Sequence, residues 1–427
     1  MSEKPTIIIG NGIAGITAAR NIRKNSNQPV MIISKESQYF FSRTALMYVY
    51  MGHMQWSHLE PYESSFWKKN NLQLCHGEVG HIDPEKKCIR LKNGDALNYN
   101  RLIIATGSVP NRFGWKGENL KAVQGLYSKQ DLETLEQWTP TIQKAVIVGG
   151  GLIGIELAEM LHSRGISVTF LVRESSFWNN VLPKEESQMI NQHILDHGID
   201  LRLNTELKEI ESDAQGRAKG VISSTGEHLD CQWVGLTAGV RPNIDWLQHS
   251  KIKTNRGILV DEFLQTEDND IYAIGDCAEL KNPPPGRRPI EAVWYTGRMM
   301  GETVAQTLNG NPKKYTPGHW FNSAKFFDIE YQTYGQVNPI VKEDEAQFYW
   351  QKAGENKAIR LAYRKSTLQL LGINAMGIRL RHEICDQWLN QEATISQVIA
   401  DFAQANFDPE FFPTYELEIQ KAWQEQL

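Results

Sequence analysis

The sequence predicts an α/β fold in which one strand–turn–helix unit occurs twice and a C-terminal α+β region follows. Two similar segments support this: "IIIGNGIAGITAAR", which begins at Ile7, and "VIVGGGLIGIELAEM", which begins at Val146. Each is followed by a second matching segment, "LIIATGSVPN" and "GLTAGVRPN" respectively. The last hundred residues change to alternating strand patterns such as "AKFFDIEYQTYG", followed by helical periodicity.

The repeated segments each read as an apolar strand, a G-x-G-x-x-G turn and a helix. Glycine is required there because the turn is tight, the backbone must approach a pyrophosphate, and the helix must lie close to its strand. The helix N-terminus then offers free N–H groups and a partial positive charge to the phosphates. We therefore predict two Rossmann-like dinucleotide-binding domains. Their glycines are Gly10, Gly12 and Gly15 in the first and Gly149, Gly151 and Gly154 in the second.

A second apolar strand follows each turn and ends in charged residues. The first, "QPVMIISKE", ends in Glu36, at the distance where an acidic side chain holds a ribose diol. A solvated charge at the strand end is the alternative, and Lys35 beside it leaves the register open. The second strand, "ISVTFLVRES", contains Arg173 and then Glu174. Arginine suits the 2′-phosphate of NADPH and an acid suits NADH, so both nucleotides remain possible, with a preference for NADPH.

A third strand-and-turn segment, "DNDIYAIGDCAEL", belongs with the first domain if the second domain interrupts it. Asp276 would then face the cofactor hydroxyls at the end of a strand, or cap a helix, or do both. Gly10 precedes Gly107 by 97 residues and Gly149 precedes Gly239 by 90, as expected for one unit used twice. The predicted domains are residues 1–112 with 244–315, residues 113–243, and residues 316–427.

Composition narrows the choice of partners and location. The chain has 427 residues and a formal net charge of -5, which gives no electrostatic reason to expect binding to nucleic acid or to an anionic membrane. The first residues, "MSEKPT", do not resemble a secretion signal, and no apolar stretch is long enough to span a membrane. The five cysteines include no C-x-x-C pair. We expect a cytoplasmic protein with reduced thiols and no metal site.

These motifs resemble the flavoproteins of the pyridine nucleotide-disulfide oxidoreductase superfamily, which have two dinucleotide-binding domains, over residues 4–310. The resemblance implies that the first glycine turn binds FAD and the second NAD(P)H, with the FAD domain interrupted by the NAD(P)H domain. "IYAIGD" is similar to the second FAD motif of the family, with Asp276 holding the ribityl chain or a phosphate. Glu156 matches a position near the nicotinamide; the alternative is an ordinary helix glutamate.

"YFFSRTALMYVY" resembles a segment of the ferredoxin-reductase-like, nitrite-reductase-like and apoptosis-inducing-factor-like members, in which Arg43 would contact FAD. Trp294 falls where the family brings a helix N-terminus to the flavin, although core packing is the simpler interpretation. The resemblance implies these further cofactor contacts: Ile13, Ala14, Lys35, Val79, Ala105, Thr106, Gly107, Ile153, Gly239 and Gly275.

The sequence also departs from parts of this family. Residues 40–54 contain no cysteine, so a thiolate relay of the disulfide-reductase kind is not expected. Tyr48, Val49 and Tyr50 stand where ferredoxin-reductase-like members usually have a lysine, which leaves the subfamily open. We expect a hydride to pass from NAD(P)H to FAD and electrons then to pass to an acceptor, favouring a ferredoxin or rubredoxin type of carrier protein. The alternatives are a soluble quinone or small-molecule reductase, and a slow redox-responsive interaction protein that senses NAD(P)H.

The C-terminal region is expected to form an interface or cap domain, and it could support a homodimer. In it, Ile395, Val398, Ile399 and Phe402 recur at helical spacing and predict one buried stripe. The loop "KNPPPGRRPIE" could offer Arg287 and Arg288 to an acidic carrier protein, but a solvated loop is the preferred interpretation.

Overall fold

A computed structural model describes residues 4–426, which divide into two compact units. Unit one comprises residues 4–113, 124–140 and 239–317, and unit two comprises residues 114–123, 141–238 and 318–426. The segment 124–140 thus belongs to unit one, and the C-terminal residues belong to the same unit as the second glycine turn. The predicted division into three domains stays a prediction.

Unit one is built on a five-stranded parallel sheet. Its central strand, Thr6–Ile9, is fully buried, as expected where helices cover both faces of a parallel sheet. The strand Ile271–Ala273 pairs in parallel with Arg101–Ile104, so the third segment of the sequence does join the first sheet. In spatial order the strands are Ile271–Ala273, Arg101–Ile104, Thr6–Ile9, Val30–Ser34 and Leu72–His76.

Two helices of unit one, Ile13–Asn25 and Trp294–Leu308, pack closely against each other. Glycine makes this approach possible: a Cβ atom at Gly301 would lie 2.5 Å from the carbonyl oxygen of Ala14 and 3.0 Å from Cβ of Thr17. The helix that follows the first glycine turn is therefore held by the helix that begins at Trp294.

The remaining elements of unit one are short and surround this sheet. The strands are Val79–Asp83, Cys88–Leu91 and Ala96–Asn98 in one antiparallel sheet, Ser108–Pro110 paired with Val240–Pro242, and Ile258–Val260 paired with Ala278–Leu280. The α-helices are Leu46–Tyr50, Ser64–Lys69 and Lys129–Trp138, and the 3-10 helices are Arg43–Ala45, Trp56–Leu59, Asp245–Leu247 and Gly275–Cys277.

Unit two repeats the central arrangement of unit one. Its strand Lys144–Val148 pairs in parallel with Ser167–Leu171 on one side and with Trp233–Leu236 on the other. The strand before the glycine turn thus lies between the two strands that follow it, as Thr6–Ile9 does in unit one. In spatial order the strands of this sheet are Asp200–Arg202, Ser167–Leu171, Lys144–Val148, Trp233–Leu236 and Val123–Gln124. The helices are Leu152–Ser163 and Lys184–Asp196. A separate three-stranded sheet comprises Leu207–Ser212, Ala218–Ser223 and His228–Asp230.

The C-terminal residues of unit two form a five-stranded antiparallel sheet with three helices. The predicted stripe from Ile395 to Phe402 is buried in the core between this sheet and its helices. In spatial order the strands are Phe321–Phe326, Ile329–Gly335, Leu370–Met376, Ala358–Arg364 and Glu345–Gln351. The helices are His382–Asn390, Ile395–Ala400 and Glu416–Gln426, with the 3-10 helix Phe402–Ala405. The 3-10 helix Thr139–Thr141 lies outside this region, where the chain passes from unit one to unit two.

A buried ion pair connects the C-terminal sheet to the helix Lys184–Asp196. Glu186 on this helix is fully buried and accepts a hydrogen bond of 3.2 Å from Nε of Arg360 and one of 3.0 Å from Nδ2 of Asn374. The same guanidinium donates to Glu185 at 2.6 Å. Both strands that carry these partners belong to the C-terminal sheet, so the sheet and the helix share one polar core. None of the helices between residues 4 and 426 has the length and apolar character that crossing a bilayer requires.

Candidate functional site

The first glycine turn is shaped by close contacts with the strand beside it. Gly10 has φ +113°, and a Cβ atom there would lie 2.1 Å from the carbonyl oxygen of Ala105. A Cβ atom at Gly15 would lie 2.1 Å from the carbonyl oxygen of Gly10. These two glycines are therefore required by the fold itself, since no other residue fits.

Gly12 differs from both, because nothing in the protein requires glycine there. Its φ is -70°, and a Cβ atom would meet no atom within 4 Å. It stands at the N-cap of the helix Ile13–Asn25, and no side chain caps that helix. Free N–H groups at an uncapped helix N-terminus, beside space that a side chain would fill, are what a phosphate group needs. The turn therefore fits a dinucleotide pyrophosphate.

Other residues of the predicted FAD site converge on this turn. A Cβ atom at Gly275, which has φ +71°, would lie 3.0 Å from Cβ of Ala14. Asp276 follows directly and accepts a hydrogen bond of 2.9 Å from Oγ of Ser108. Burial raises the pKa of Asp276, opposed by the Ser108 hydroxyl and by Arg43. Thr106, in the turn before Gly107, donates to the carbonyl of Asn243 at 3.0 Å.

The predicted ribose acid, Glu36, is held by cationic and backbone donors. Arg43 binds its carboxylate in bidentate fashion, at 2.9 Å from Nη1 to Oε1 and 2.6 Å from Nη2 to Oε2. The backbone N–H of Lys129 donates to Oε1 at 2.9 Å. The guanidinium of Arg43 also donates to the carbonyl of Tyr127 and lies 4.5 Å from the centre of that ring. Two predicted FAD contacts, Glu36 and Arg43, thus form one ion pair.

Three other predicted contacts lie in different surroundings. Lys35 is exposed and forms an ion pair of 3.0 Å with Glu78. Val79 is buried in the core of unit one. Trp294 begins its helix, as predicted, but it is partly exposed and contacts Tyr295 and Arg298 rather than lying in the core.

The second glycine turn has the same internal geometry as the first. Gly149 has φ +117°, and a Cβ atom there would lie 2.8 Å from the carbonyl oxygen of Thr237; a Cβ atom at Gly154 would lie 2.6 Å from the carbonyl oxygen of Gly149. Gly151 has φ -127° and open space at its Cβ position, at the uncapped start of the helix Leu152–Ser163. Ile153, in the first turn of this helix, is partly exposed. This turn also fits a pyrophosphate.

Arg173 lies two residues beyond the end of the strand Ser167–Leu171, with 70% of its side chain exposed, and pairs with Glu174 at 3.0 Å. Gly239, with φ +85°, belongs to unit one, where its carbonyl accepts a hydrogen bond from the N–H of Asn111. Arg173 is thus exposed on the protein surface, and Gly239 lies in a turn. The roles of all the predicted contact residues stay predictions.

Glu156 lies on the helix that follows the second glycine turn. Burial raises its pKa to about 7, with a further contribution from Glu159 one turn away. Glu159 in contrast forms an ion pair of 2.8 Å with Lys325 of the C-terminal sheet. No cation among the described residues contributes to the pKa of Glu156, since burial and Glu159 are its causes. A carboxyl group poised near neutral pH beside a nucleotide-binding turn is a typical functional arrangement.

Sequence analysis missed several residues of the first site. Tyr127 has its hydroxyl 2.9 Å from the N–H of Ser108, and burial raises the pKa of this phenol to about 12. Asn11, between the first two glycines, donates to the carbonyls of Ser37 and Tyr39 and so anchors the loop after Glu36. Asn11 could have been suspected from its place in the motif. Nothing local in the sequence indicates that Tyr127 returns to unit one.

The preferred interpretation of the proline-rich loop is wrong for one of its two arginines. Arg287 is not solvated: its side chain is 3% exposed and pairs at 2.5 Å with Glu291, which is 4% exposed. Its guanidinium is therefore neutralised inside the protein and is not presented to a partner. Arg288 is exposed, as expected.

Comparison with known proteins identifies the family of this chain. A protein-family model described as pyridine nucleotide-disulphide oxidoreductase matches residues 4–306. The chain belongs to this family. Family members are FAD-dependent NAD(P)H oxidoreductases, and FAD and NAD(P)H are their cofactors. The predictions of the family, the α/β fold class and the cofactor pair are confirmed; the preference for NADPH stays a prediction.

Two relatives of this chain carry names that refer to electron transfer or to ferredoxin reduction. It is 30% identical over 334 residues to the ferredoxin reductase subunit of 5,5'-dehydrodivanillate O-demethylase from Sphingobium sp., covering 77% of this chain and 81% of that protein. It is 26% identical over 361 residues to the assimilatory nitrate reductase electron transfer subunit of Bacillus subtilis, covering 84% of this chain. The chain spans 46% of the length of that second relative.

A solved ferredoxin reductase from Rhodopseudomonas palustris shares the fold of this family member. The TM-score is 0.81 with 23% sequence identity, and the alignment covers 98% of this chain and 100% of the other. At this identity the likeness concerns the fold.

Proposed function

We propose that this oxidoreductase passes a hydride from NAD(P)H to FAD and then electrons to a redox carrier protein of the ferredoxin or rubredoxin type. The observation that carries the proposal is the pair of glycine turns with open, uncapped helix N-termini at Gly12 and Gly151. Since no contact within the protein requires glycine at these positions, a ligand is the remaining physical reason for it.

The first turn would hold FAD. The N–H groups that begin at Gly12 would bind its pyrophosphate, and Asp276 would accept hydrogen bonds from its hydroxyl groups. The ion pair between Arg43 and Glu36 would orient both side chains beside the ribose. When bound, FAD supplies the hydride-accepting ring and can release electrons singly or in pairs.

The second turn would hold NAD(P)H. The N–H groups that begin at Gly151 would bind the pyrophosphate, and Arg173 would reach a 2′-phosphate where one is present. Glu156 would lie on the nicotinamide side of the turn and influence the charge there through its titration near neutral pH.

A thiol relay inside the protein is not part of this proposal. Cys277, the cysteine nearest in sequence to Asp276, is buried, and its thiol lies 3.4 Å from the carbonyl oxygen of Ile104 and 3.3 Å from that of Ile274. Burial raises its pKa, so the nucleophilic thiolate is disfavoured. Electrons would therefore leave for an external acceptor. The names of the relatives, a ferredoxin reductase subunit and an electron transfer subunit, support a protein carrier.

Glycine variants test the two sites separately. Gly12→Val should fold, because open space receives the side chain, but it should lose FAD, measured as flavin absorbance per mole of protein. Gly151→Val should retain FAD and be reduced by NAD(P)H at least roughly tenfold more slowly at low nucleotide concentration, because its pyrophosphate contact is blocked. Gly15→Ala is the structural control: it should lower the melting temperature because its Cβ meets the backbone of Gly10. Full flavin content in Gly12→Val would contradict the assignment of the first turn.

An acceptor screen tests the carrier. The enzyme as purified is mixed with NADH or NADPH and with a [2Fe–2S] ferredoxin, a rubredoxin or a water-soluble quinone. Turnover with an iron–sulfur or rubredoxin carrier supports the proposal. Turnover with the quinone alone, or slow flavin reduction that is accompanied by a change in oligomeric state, would replace it.

We also propose a cytoplasmic location. The cysteines of the described chain, three of them buried, form no disulfide bond. This is the usual state of thiols in a reducing compartment.

A further inference from the structure

A cluster of two histidines and one aspartate lies in unit two, outside the glycine turns. His193 belongs to the helix Lys184–Asp196, and His197 follows at the end of that helix, four residues later. Asp328 lies in the two-residue turn between the strands Phe321–Phe326 and Ile329–Gly335. One potential ligand atom from each of the three side chains lies within 4.8 Å of the others. Histidines four residues apart share one helix face, which is a common arrangement for two metal ligands.

His193 has a buried ring nitrogen that faces the carboxylate of Asp328. The residue is 5% exposed, and its Nε2 atom makes no hydrogen bond of acceptable geometry to any residue between 4 and 426. Oδ1 of Asp328 nevertheless lies 2.6 Å from this nitrogen, so the two side chains form a close ion pair when the ring is protonated. An imidazole nitrogen and a carboxylate oxygen at this separation can share a proton or, with a small shift, bind one cation between them.

The second histidine is oriented for metal binding by its other nitrogen. Nδ1 of His197 lies 2.8 Å from the backbone carbonyl oxygen of His193. When Nδ1 donates its proton there, Nε2 carries the free lone pair, and such a bond to a carbonyl is the usual support of a metal-binding histidine. Nε2 of His197 is 4.0 Å from Oδ1 of Asp328. The side-chain amide nitrogen of Asn356 lies 3.1 Å from Nδ1 of His193 and donates to it; metal binding at Nε2 of His193 would require this amide to rotate so that its oxygen accepts from Nδ1.

We propose that Nε2 of His193, Nε2 of His197 and Oδ1 of Asp328 bind one Zn²⁺ ion, with water as the fourth ligand. Bonds of about 2.0–2.1 Å in a tetrahedron place ligand atoms about 3.3 Å apart. The two separations from Asp328, 2.6 and 4.0 Å, lie on either side of this value. Asp328 is 79% exposed on a short turn, so a shift of under about 1 Å completes the geometry. Two imidazoles with one carboxylate favour zinc over magnesium or calcium, which prefer oxygen ligands.

The turn that carries Asp328 is itself held against the helix. Phe327 has φ +55°, a conformation that a bulky residue adopts rarely, and its ring stacks on His197 with centroids 4.2 Å apart. The ion would therefore join the helix Lys184–Asp196 to the first hairpin of the C-terminal sheet. Because a ligand bound to the folded state alone stabilises it, zinc should raise the melting temperature of the protein.

The experiment uses the FAD-containing full chain without a polyhistidine tag, freed of metal with a chelator. Equilibrium dialysis against Zn²⁺ should give one bound ion per chain, and Co²⁺ in its place should give the visible absorption of a four-coordinate ion. Asp328→Asn, which changes an exposed side chain and leaves the fold intact, and His197→Gln should each weaken binding at least roughly tenfold and abolish the zinc-dependent rise in melting temperature. His228→Gln is the matched control, because His228 lies 2.7 Å from Glu211 without a second histidine in its surroundings.

Unchanged stoichiometric binding in both Asp328→Asn and His197→Gln would overturn the proposal, as would the absence of stoichiometric binding in the wild type. An equal loss of binding in His228→Gln would also overturn it, since it would indicate dispersed surface binding. Flavin content and NAD(P)H reduction are measured separately, so the outcome does not depend on the proposed function.

Discussion

Replacement of Glu156 by glutamine should stabilise the protein at pH 8 and change its stability much less at pH 5. Burial raises the pKa of this carboxyl group from 4.5 to about 7. The folded protein therefore retains a proton that the unfolded chain releases between these two values. Because proton binding and folding are linked, the stability that this protonated carboxyl group contributes is fully present below pH 4.5 and is lost as the pH rises through about 7. Glutamine is neutral at every pH and avoids that loss.

The size of the effect follows from the same rise in pKa. A change from 4.5 to about 7 corresponds to about 3 kcal/mol at about 1.4 kcal/mol for each tenfold change in proton affinity. Glu156 is partly exposed, so solvent screening reduces this to about 2 kcal/mol. For a unit of the size of unit two, about 2 kcal/mol shifts the melting temperature by about 4–8 °C.

The assay compares melting temperatures of the wild type and the Glu156→Gln variant at pH 5 and pH 8, with FAD bound and nicotinamide nucleotide absent. The variant should melt about 4–8 °C higher at pH 8, where the full effect is present, and only about 1–2 °C higher at pH 5, where about a quarter of it is present. Glu159→Gln is the matched control: it breaks the ion pair with Lys325 and should not raise the melting temperature at pH 8. The same difference at both pH values, or a less stable Glu156→Gln protein at pH 8, would refute the reasoning.

Two further predictions concern nucleotide choice and helix packing. Arg173→Ser should raise KM for NADPH at least roughly fivefold and change KM for NADH by less than about twofold, because the exposed guanidinium would contact only the 2′-phosphate. Equal changes in KM for both nucleotides, measured by steady-state reduction, would contradict this. Gly301→Val should destabilise unit one by about 2–3 kcal/mol and lower its flavin content, because the new side chain meets the Ala14 carbonyl at the helix contact. Thermal denaturation together with flavin absorbance measures this, and a variant with wild-type values for both would be inconsistent with the close packing.

Local patterns predicted the parts of the site that local geometry determines. The glycines of both turns, the strands before them and the place of Asp276 beside the first sheet follow from motifs whose spacing is set by one strand and one helix. Pairing across long stretches of sequence was not predictable. Arg43 and Glu36 were both expected near FAD, but their ion pair depends on a loop that brings Tyr127 and Lys129 back to unit one.

The same limit applies to unit two. Nothing in the periodicity around Arg360 indicates that it meets Glu186, 174 residues earlier. His193 and His197 have a spacing that places them on one helix face, but this pair alone does not indicate a metal site, because the third member of the cluster, Asp328, comes from a distant hairpin turn. Side chains that meet through the fold, rather than through a motif, need coordinates to be recognised.

The buried contact between Glu186 and Arg360 limits how the gene could be shortened or recombined. A chain ending near residue 317 would lose Arg360 and Asn374 together with the sheet that covers Glu186, and it would expose that face of the helix to water. Removing the guanidinium alone, with the sheet still in place, would leave a buried carboxylate without its cation, a loss of about 3–5 kcal/mol. The last hundred residues are thus an integral part of unit two. Grafting them onto another reductase would succeed only if the recipient supplied an acid at the corresponding helix position.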